Sequence, residues 1–222
     1  MNGKFYSVGV GPGDPMLITY KAVKTISMSD IIVVPNSGAS ENIALKIARE
    51  HIQGKKVVEC DMPMIRDEKR LEEYHTAAAD LIAGFLDQGK SVSFLTLGDP
   101  SIYSSAMYVH KRLTDRGYDT AMIPGVTSFC AAAASLNTSL CEKNQLLHII
   151  PASYRDTDAA LLLNGNKVLM KSGKSIVKIK EKIENKNAMM VECASMENEK
   201  IFYSLDDVDE NASYFSLIVI KE

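Results

Sequence analysis

The sequence predicts an α/β protein built as two halves. Three observations carry that reading: strand-length apolar runs alternate with segments of helical period, glycines stand where helices stop, and the composition resets after Pro124-Gly125. The alternation is that of βα units around a mainly parallel sheet. Strands are predicted over Phe5–Val10, Ile31–Val34, Lys56–Cys60, Ser91–Thr96 and Asp119–Ile123, separated by helices over Leu17–Met28, Asn42–Glu50, Asp67–Gln88 and Ser104–Arg116. Gly89 and Gly117 follow the last two helices, where a residue at ease in the left-handed conformation closes a helix. A small-residue run, Ala131–Ala134, then opens a second series. It comprises helix Phe129–Leu136, strand Leu146–Ile150, helix Asp156–Leu163, strand Lys167–Met170, helix Ser175–Asn185, and strands Ala188–Cys193 and Tyr214–Ile220. The predicted division is an N-terminal α/β domain over residues 1–123 and a C-terminal α/β domain over 124–222.

With 46% apolar and 24% charged residues the 222-residue chain has the composition of an ordinary globular protein. Its net charge of −3 supplies no cationic field for a phosphate backbone, which argues against nucleic acid as a partner. No run approaches the roughly 18 apolar residues of a membrane span. Lys4 leads straight into a strand without a secretory segment, so the expected location is cytoplasmic. Cys60, Cys130, Cys141 and Cys193 form no C-x-x-C pair and read as small core residues. His51, His75, His110 and His148 lack metal-site spacing, so no metal is expected.

Small-molecule sites of parallel sheets form in loops beyond the carboxyl ends of the strands, and three such loops stand out. The first is Gly9-Val10-Gly11-Pro12-Gly13-Asp14-Pro15, whose glycines let a ligand approach the backbone. It is not a dinucleotide fingerprint, because the third glycine of G-x-G-x-x-G falls on Asp14 and two prolines remove N–H donors. The acidic residue that would hold a ribose is missing too, since the second strand ends in Val34-Pro35-Asn36. Asp14 also reads as the cap of the first helix, with Pro15 in its first position.

The second loop, Leu97-Gly98-Asp99-Pro100-Ser101-Ile102-Tyr103-Ser104-Ser105, sets a carboxylate at the mouth of the sheet. Asp99 either accepts hydrogen bonds from ligand or caps the next helix, and Tyr103 either meets ligand or packs beneath that helix. The third, Pro124-Gly125-Val126-Thr127-Ser128, offers two hydroxyls that are equally N-cap candidates. Ser172-Gly173-Lys174-Ser175 has only the tail of a P-loop, with Val168 where the leading glycine belongs. The lysines from Lys171 to Lys186, interleaved with Glu181 and Glu184, read first as a solvated face and second as a surface for an acidic substrate. His110, two turns beyond Tyr103, reads as structural.

Taken in order, Val8–Pro15 with Leu17-Ile18-Thr19, Thr96–Ser104 and Ile123–Ser128 resemble the motifs of the tetrapyrrole methylase family, over essentially the whole chain. Met62-Pro63-Met64, Ile150-Pro151-Ala152, and Leu97 where many relatives have glycine look most like the branch that methylates precorrin-2 or cobalt-factor II at carbon 20 in cobalamin synthesis. The resemblance implies two αβα domains, S-adenosyl-L-methionine bound in the cleft between them, a tetrapyrrole substrate and a homodimer. Carried over by residue, it implies cofactor contacts from Pro12, Leu97, Gly98, Asp99 and Ile102, from Thr127 and Ser128, and from Met170, Ala194, Ser216 and Leu217. The superfamily also holds ribosomal-RNA and diphthamide methylases, and the anionic net charge counts against the RNA branch.

On this reading the sulfonium methyl is already activated and a meso carbon of a reduced tetrapyrrole is already nucleophilic. The protein's task is then alignment for in-line displacement, for which effective molarities of about 10⁵ M or more are attainable. A proton must still leave the methylated carbon, and Asp99 or Tyr103 is the candidate acceptor, although clamping the cofactor is the simpler role for Asp99. Two rival classes are an NAD(P)-linked oxidoreductase, disfavoured by the missing glycine and ribose acid, and a non-catalytic tetrapyrrole carrier.

Overall fold

Ile31, Ile32, Val33 and Val34 leave no polar face for water, and the computed structural model buries all four. They belong to β2 (Ile31–Asn36), which joins β1 (Phe5–Gly9), β3 (Lys56–Asp61), β4 (Val92–Thr96) and β5 (Thr120–Ile123) in an entirely parallel sheet. The strand order is β3-β2-β4-β1-β5. The structure describes residues 3–38, 41–65, 67–152, 157–173, 176–183, 187–209 and 212–222, which form two compact units, one ending at Thr127 and the other beginning at Ser128.

Successive side chains of a strand point to opposite faces, and each face of this sheet has its own helix pair. Phe5, Ile31, Val33 and Phe94 pack with α3 (Glu68–Leu86) and α4 (Ala106–Asp115). Val8, Ile32, Val34 and Leu95 pack with α1 (Tyr20–Met28) and α2 (Ile43–Ala48). Burial on both faces is why Ile31–Val34 of β2 reads as an unbroken apolar run rather than an alternating one.

Side-chain caps set the helix starts. Thr19 accepts from the Ala22 amide at 3.1 Å and Asp67 from the Arg70 amide at 3.1 Å, each cap stabilising its helix by about 1 kcal/mol. Asp14 does not cap α1. It accepts from the Met16 amide at 2.8 Å and opens a separate 3₁₀ turn, Pro15–Leu17. The predicted helix Leu17–Met28 is thus two elements, because two capping residues follow one another.

Two histidines of this unit, His75 buried and His110 half-buried, pack against its helices and β1. His110 shares a hydrogen bond of 3.0 Å with the Ser7 hydroxyl and tilts against the Phe5 ring, while His75 stacks on Tyr108 with centroids 4.5 Å apart. Burial holds both imidazoles below the ordinary histidine range; for His75 the Arg112 charge adds to that, against an opposing pull from Glu72. The unfolded chain therefore binds protons that the folded unit refuses. The neutral-imidazole contribution is complete above about pH 6.5 and is lost as pH falls towards the folded pKa values. Melting curves from pH 7.5 to pH 5 are expected to show falling stability on acidification, and a flatter profile in a His75→Gln, His110→Gln double variant.

From Ser128 the chain builds a second sheet in the order β6-β7-β10-β8-β9, from β6 (Leu147–Pro151), β7 (Asn166–Met170), β8 (Asn187–Glu192), β9 (Lys200–Phe202) and β10 (Ser216–Lys221). Leu169, Met190 and Ile218 share a core with α6 (Thr157–Leu161) and α7 (Ile176–Lys182). Leu217 and Val219 point to the other face and are also buried, and α5 (Ser128–Ser135) packs against β10. The expectation of a mainly parallel sheet fails here: β6 and β7 pair in parallel, but β10 runs antiparallel to β7 and β8, and β8 to β9. A parallel neighbour needs a long crossover, usually a helix. Between β8 and β10 the described residues hold only β9 and a 3₁₀ turn, Leu205–Asp207. β9 was not predicted, since three residues show no period. Asp156, Lys174, Ser175, Glu184, Asn185 and Lys186, which fall in predicted elements or motifs, lie outside the described residues.

Candidate active site

β1 and β4 are neighbours whose connections leave in opposite directions, one through α1 towards β2 and the other through α4, past β1, to β5. Such a switch point opens a crevice beyond the carboxyl ends of the two strands. The first two loops meet there. Gly98 donates its amide to the Gly11 carbonyl at 2.7 Å, and Gly11 donates to the Gly98 carbonyl at 3.3 Å. Both glycines lie in the left-handed region, with φ of +87° at Gly11 and +72° at Gly98.

The third loop is pressed against the other two. A β-carbon on Gly9 would lie 2.6 Å from the Gly98 carbonyl oxygen and 2.7 Å from the Gly125 nitrogen, and one on Gly125 would lie 2.1 Å from the Gly98 oxygen. Three backbones therefore touch with no space for a side chain. Sequence reading placed Gly125 in a loop but missed this role; the only signal was its position after a strand, two residues ahead of the Thr127 hydroxyl.

Asp99 joins the loops chemically. One carboxylate oxygen accepts from the Ser101 amide at 2.8 Å and from the Ser101 hydroxyl, and the other accepts from the Gly125 amide at 2.9 Å. The residue is only 9% exposed, so these bonds to a charged acceptor form away from bulk water, where they are strongest. It does not cap α4. The Ser104 hydroxyl accepts from the Ala106 amide instead, at 3.2 Å. Thr19, which the sequence did not single out, donates its hydroxyl to the Pro124 carbonyl at 3.2 Å and so ties α1 to the same edge.

Pro12 is buried here, and Leu97 and Ile102 are half-buried. Tyr103 is 49% exposed and held at φ +46°, a conformation costly for a residue with a side chain. The Thr127 hydroxyl is buried with no hydrogen-bond partner among the described residues. Such an orphan costs about 1–3 kcal/mol, and a polar ligand atom would recover that cost.

In the second unit, Met170, Ala194, Ser216 and Leu217 gather along one edge of the sheet. Met170 ends β7 and pairs with Leu217, while Ser216 pairs with Glu192, two residues before Ala194. All four are buried. The Ser216 hydroxyl donates to the Ser213 carbonyl at 2.5 Å. Lys171, Cys193 and Ser195 turn the chain at this edge in the left-handed conformation. Ser128 opens α5. The predicted residues thus fall into one group at the strand ends of the first sheet and another at one edge of the second.

Other sequence features take structural roles. Ser172 donates its amide and hydroxyl to the Ser216 carbonyl, at 3.2 and 3.1 Å. Lys180 donates to the Val208 carbonyl at 2.6 Å, and Lys182 pairs with Asp158. Cys60 and Cys193 are buried as expected, but Cys130 and Cys141 are exposed. Burial pushes the Cys60 thiol up to about 12, which removes it as a nucleophile. No helix of the described residues is long and apolar enough to cross a membrane.

A doubly wound sheet whose switch-point loops are laced backbone to backbone, followed by a second α/β unit, is an α/β architecture that gathers its candidate ligand-binding loops at the strand ends. The chain belongs to the tetrapyrrole (corrin/porphyrin) methylase family, whose model matches residues 4–209. It is 34% identical over 225 residues to a probable cobalt-precorrin-2 C(20)-methyltransferase of Methanocaldococcus jannaschii, covering 98% of this chain and 96% of the relative. It is 29% identical over 232 residues to the cobalt-precorrin-2 C(20)-methyltransferase of Salmonella typhimurium, covering 100% and 98%. Among solved structures, its fold matches that of a uroporphyrin-III C-methyltransferase of Thermus thermophilus complexed with S-adenosylhomocysteine, with a TM-score of 0.73, 19% identity, and coverage of 99% and 98%. The chain is accordingly an S-adenosylmethionine-dependent methyltransferase.

Proposed function

We propose that this enzyme methylates carbon 20 of precorrin-2 or cobalt-factor II in cobalamin biosynthesis, working as a cytoplasmic homodimer. The observation that carries the proposal is the glycine-laced edge of the first sheet, with its orphan Thr127 hydroxyl, in a chain so similar along its length to relatives named for that reaction.

The residues present suit a donor without a pyrophosphate. Pro12 removes an N–H where a dinucleotide would need one, whereas Pro12, Leu97 and Ile102 offer apolar contact and Thr127 a free polar one. S-adenosylmethionine, when bound, supplies the activated sulfonium methyl. Asp99 acts through the loops it ties together: with three donors already on its carboxylate, it sets the position of Gly98 and Gly125. Tyr103, half-exposed on the same loop, is the candidate to relay the proton released from carbon 20 to water, giving up its own phenolic proton as it accepts the new one. Met170, Ala194, Ser216, Leu217 and Ser128 are proposed as further cofactor contacts.

Incubation with labelled S-adenosylmethionine and either precorrin-2 or cobalt-factor II, followed by mass and NMR assignment, is expected to place one new methyl group on carbon 20. A methyl group elsewhere on the ring would move the enzyme to another branch of the family. Pigment binding without label transfer would make it a carrier.

A further inference from the structure

Lys171 directly follows Met170 at the end of β7, yet its side chain takes no part in any contact assigned above. Its backbone lies at φ +59°, where glycine is at ease and a residue with a β-carbon is not. Its ammonium lies over the Tyr214 ring, 6.0 Å from the centroid, within reach of a cation–π attraction. Tyr214 is in turn braced edge-on by Phe215, at 5.3 Å and 81°. The Phe215 carbonyl accepts from the Cys193 amide at 3.0 Å.

The Lys171 ammonium forms no ion pair among the described residues. The buried carboxylate on this edge, Glu192, is already engaged by the Ser213 amide at 2.7 Å and faces Lys200 at 3.9 Å. A half-exposed cation is therefore placed over an aromatic ring, without a counter-charge among the described residues, on the edge that carries Met170, Ser216 and Leu217.

We infer that Lys171 is a substrate-positioning residue: it takes a peripheral carboxylate of the tetrapyrrole, and the Tyr214 ring holds the ammonium in place. The inference rests on the proposed function for its substrate class. A ring bearing acetate and propionate arms presents anions at its rim and an apolar face between them. One placed cation can thus fix the ring's rotation without touching the reacting carbon, and rotation decides which meso carbon meets the methyl group.

The test compares wild type with Lys171→Met, Lys171→Gly and Lys171→Arg. The KM for precorrin-2 is expected to rise about 10-fold in the Met and Gly variants, as for loss of one charge-assisted bond. Lys171→Arg should restore it, and raising the salt concentration should erase the difference between wild type and Met. S-adenosylhomocysteine affinity should stay at the wild-type value. Lys171→Gly, which relieves the left-handed strain, should melt higher than wild type while binding tetrapyrrole more weakly, an outcome that a purely structural role forbids.

Fluorescence titration with uroporphyrin, an octacarboxylic tetrapyrrole, reads the same contrast without turnover. The inference survives this way even if the methylated carbon turns out to be a different one. Equal tetrapyrrole affinity in wild type and Lys171→Met overturns it, as does a wild type that binds neither precorrin-2 nor uroporphyrin.

Discussion

Replacing Gly125 with alanine is expected to weaken S-adenosylhomocysteine binding by about 100-fold and to lower the melting temperature of the first unit. The added carbon would meet the Gly98 carbonyl oxygen at 2.1 Å and the Gly9 backbone at 2.8 and 2.9 Å. Overpacking costs about 1–3 kcal/mol where side chains can adjust, and more where they cannot. Every atom met here is main chain, so the third loop must separate from the other two. That movement carries away the Gly125 amide that Asp99 holds and displaces Thr127. Gly84→Ala is the matched control. It lies in α3 at an ordinary φ with nothing within 4 Å of the added carbon, and it should stabilise the protein by about 0.5–1 kcal/mol. Calorimetric titration and thermal melts of both variants decide the matter, and a wild-type dissociation constant for Gly125→Ala would refute the laced-loop account.

The Asp99→Asn variant is expected to lose about 10-fold or more in cofactor affinity. An asparagine has one oxygen to offer where the aspartate uses two. Either its amide faces the Gly125 N–H, or it faces the Ser101 amide and hydroxyl; in each case two donors oppose one another in a buried place. Leaving such a group unsatisfied costs about 1–3 kcal/mol. The expected signature is weaker S-adenosylhomocysteine binding with a single-turnover rate that recovers at saturating donor. Normal affinity with a lost rate would instead make Asp99 the proton acceptor.

Much of the first unit was legible because its determinants are local. The run Ile31–Val34 announces a strand, and the helix predicted from Asp67 starts at the Asp67 cap, whereas α1 starts at Thr19 and not at the Asp14 cap that the sequence suggested. The loops after β1, β4 and β5 could be named as candidates because glycine and proline at strand ends have few other uses. The direction of β10 could not be read, since an apolar strand carries the same pattern whichever way it runs. Asp99 was equally opaque: a helix cap and a tie between two loops need the same side chain in the same place.

Residue order alone settled the alternation of strands and helices in the first unit, the glycine- and proline-rich loops at its strand ends, and the family whose motifs those loops resemble. All of these follow from steric and polar properties that each residue carries with it. The pairing of Asp99 with Gly125, the contact of Gly9 with Gly98 and Gly125, and the placing of the Lys171 ammonium over Tyr214 came from the folded chain. They join positions as far apart along the chain as 99 and 125, 171 and 214, or 9 and 125. Such contacts exist only after loop closure brings the strands side by side, and no local preference encodes them.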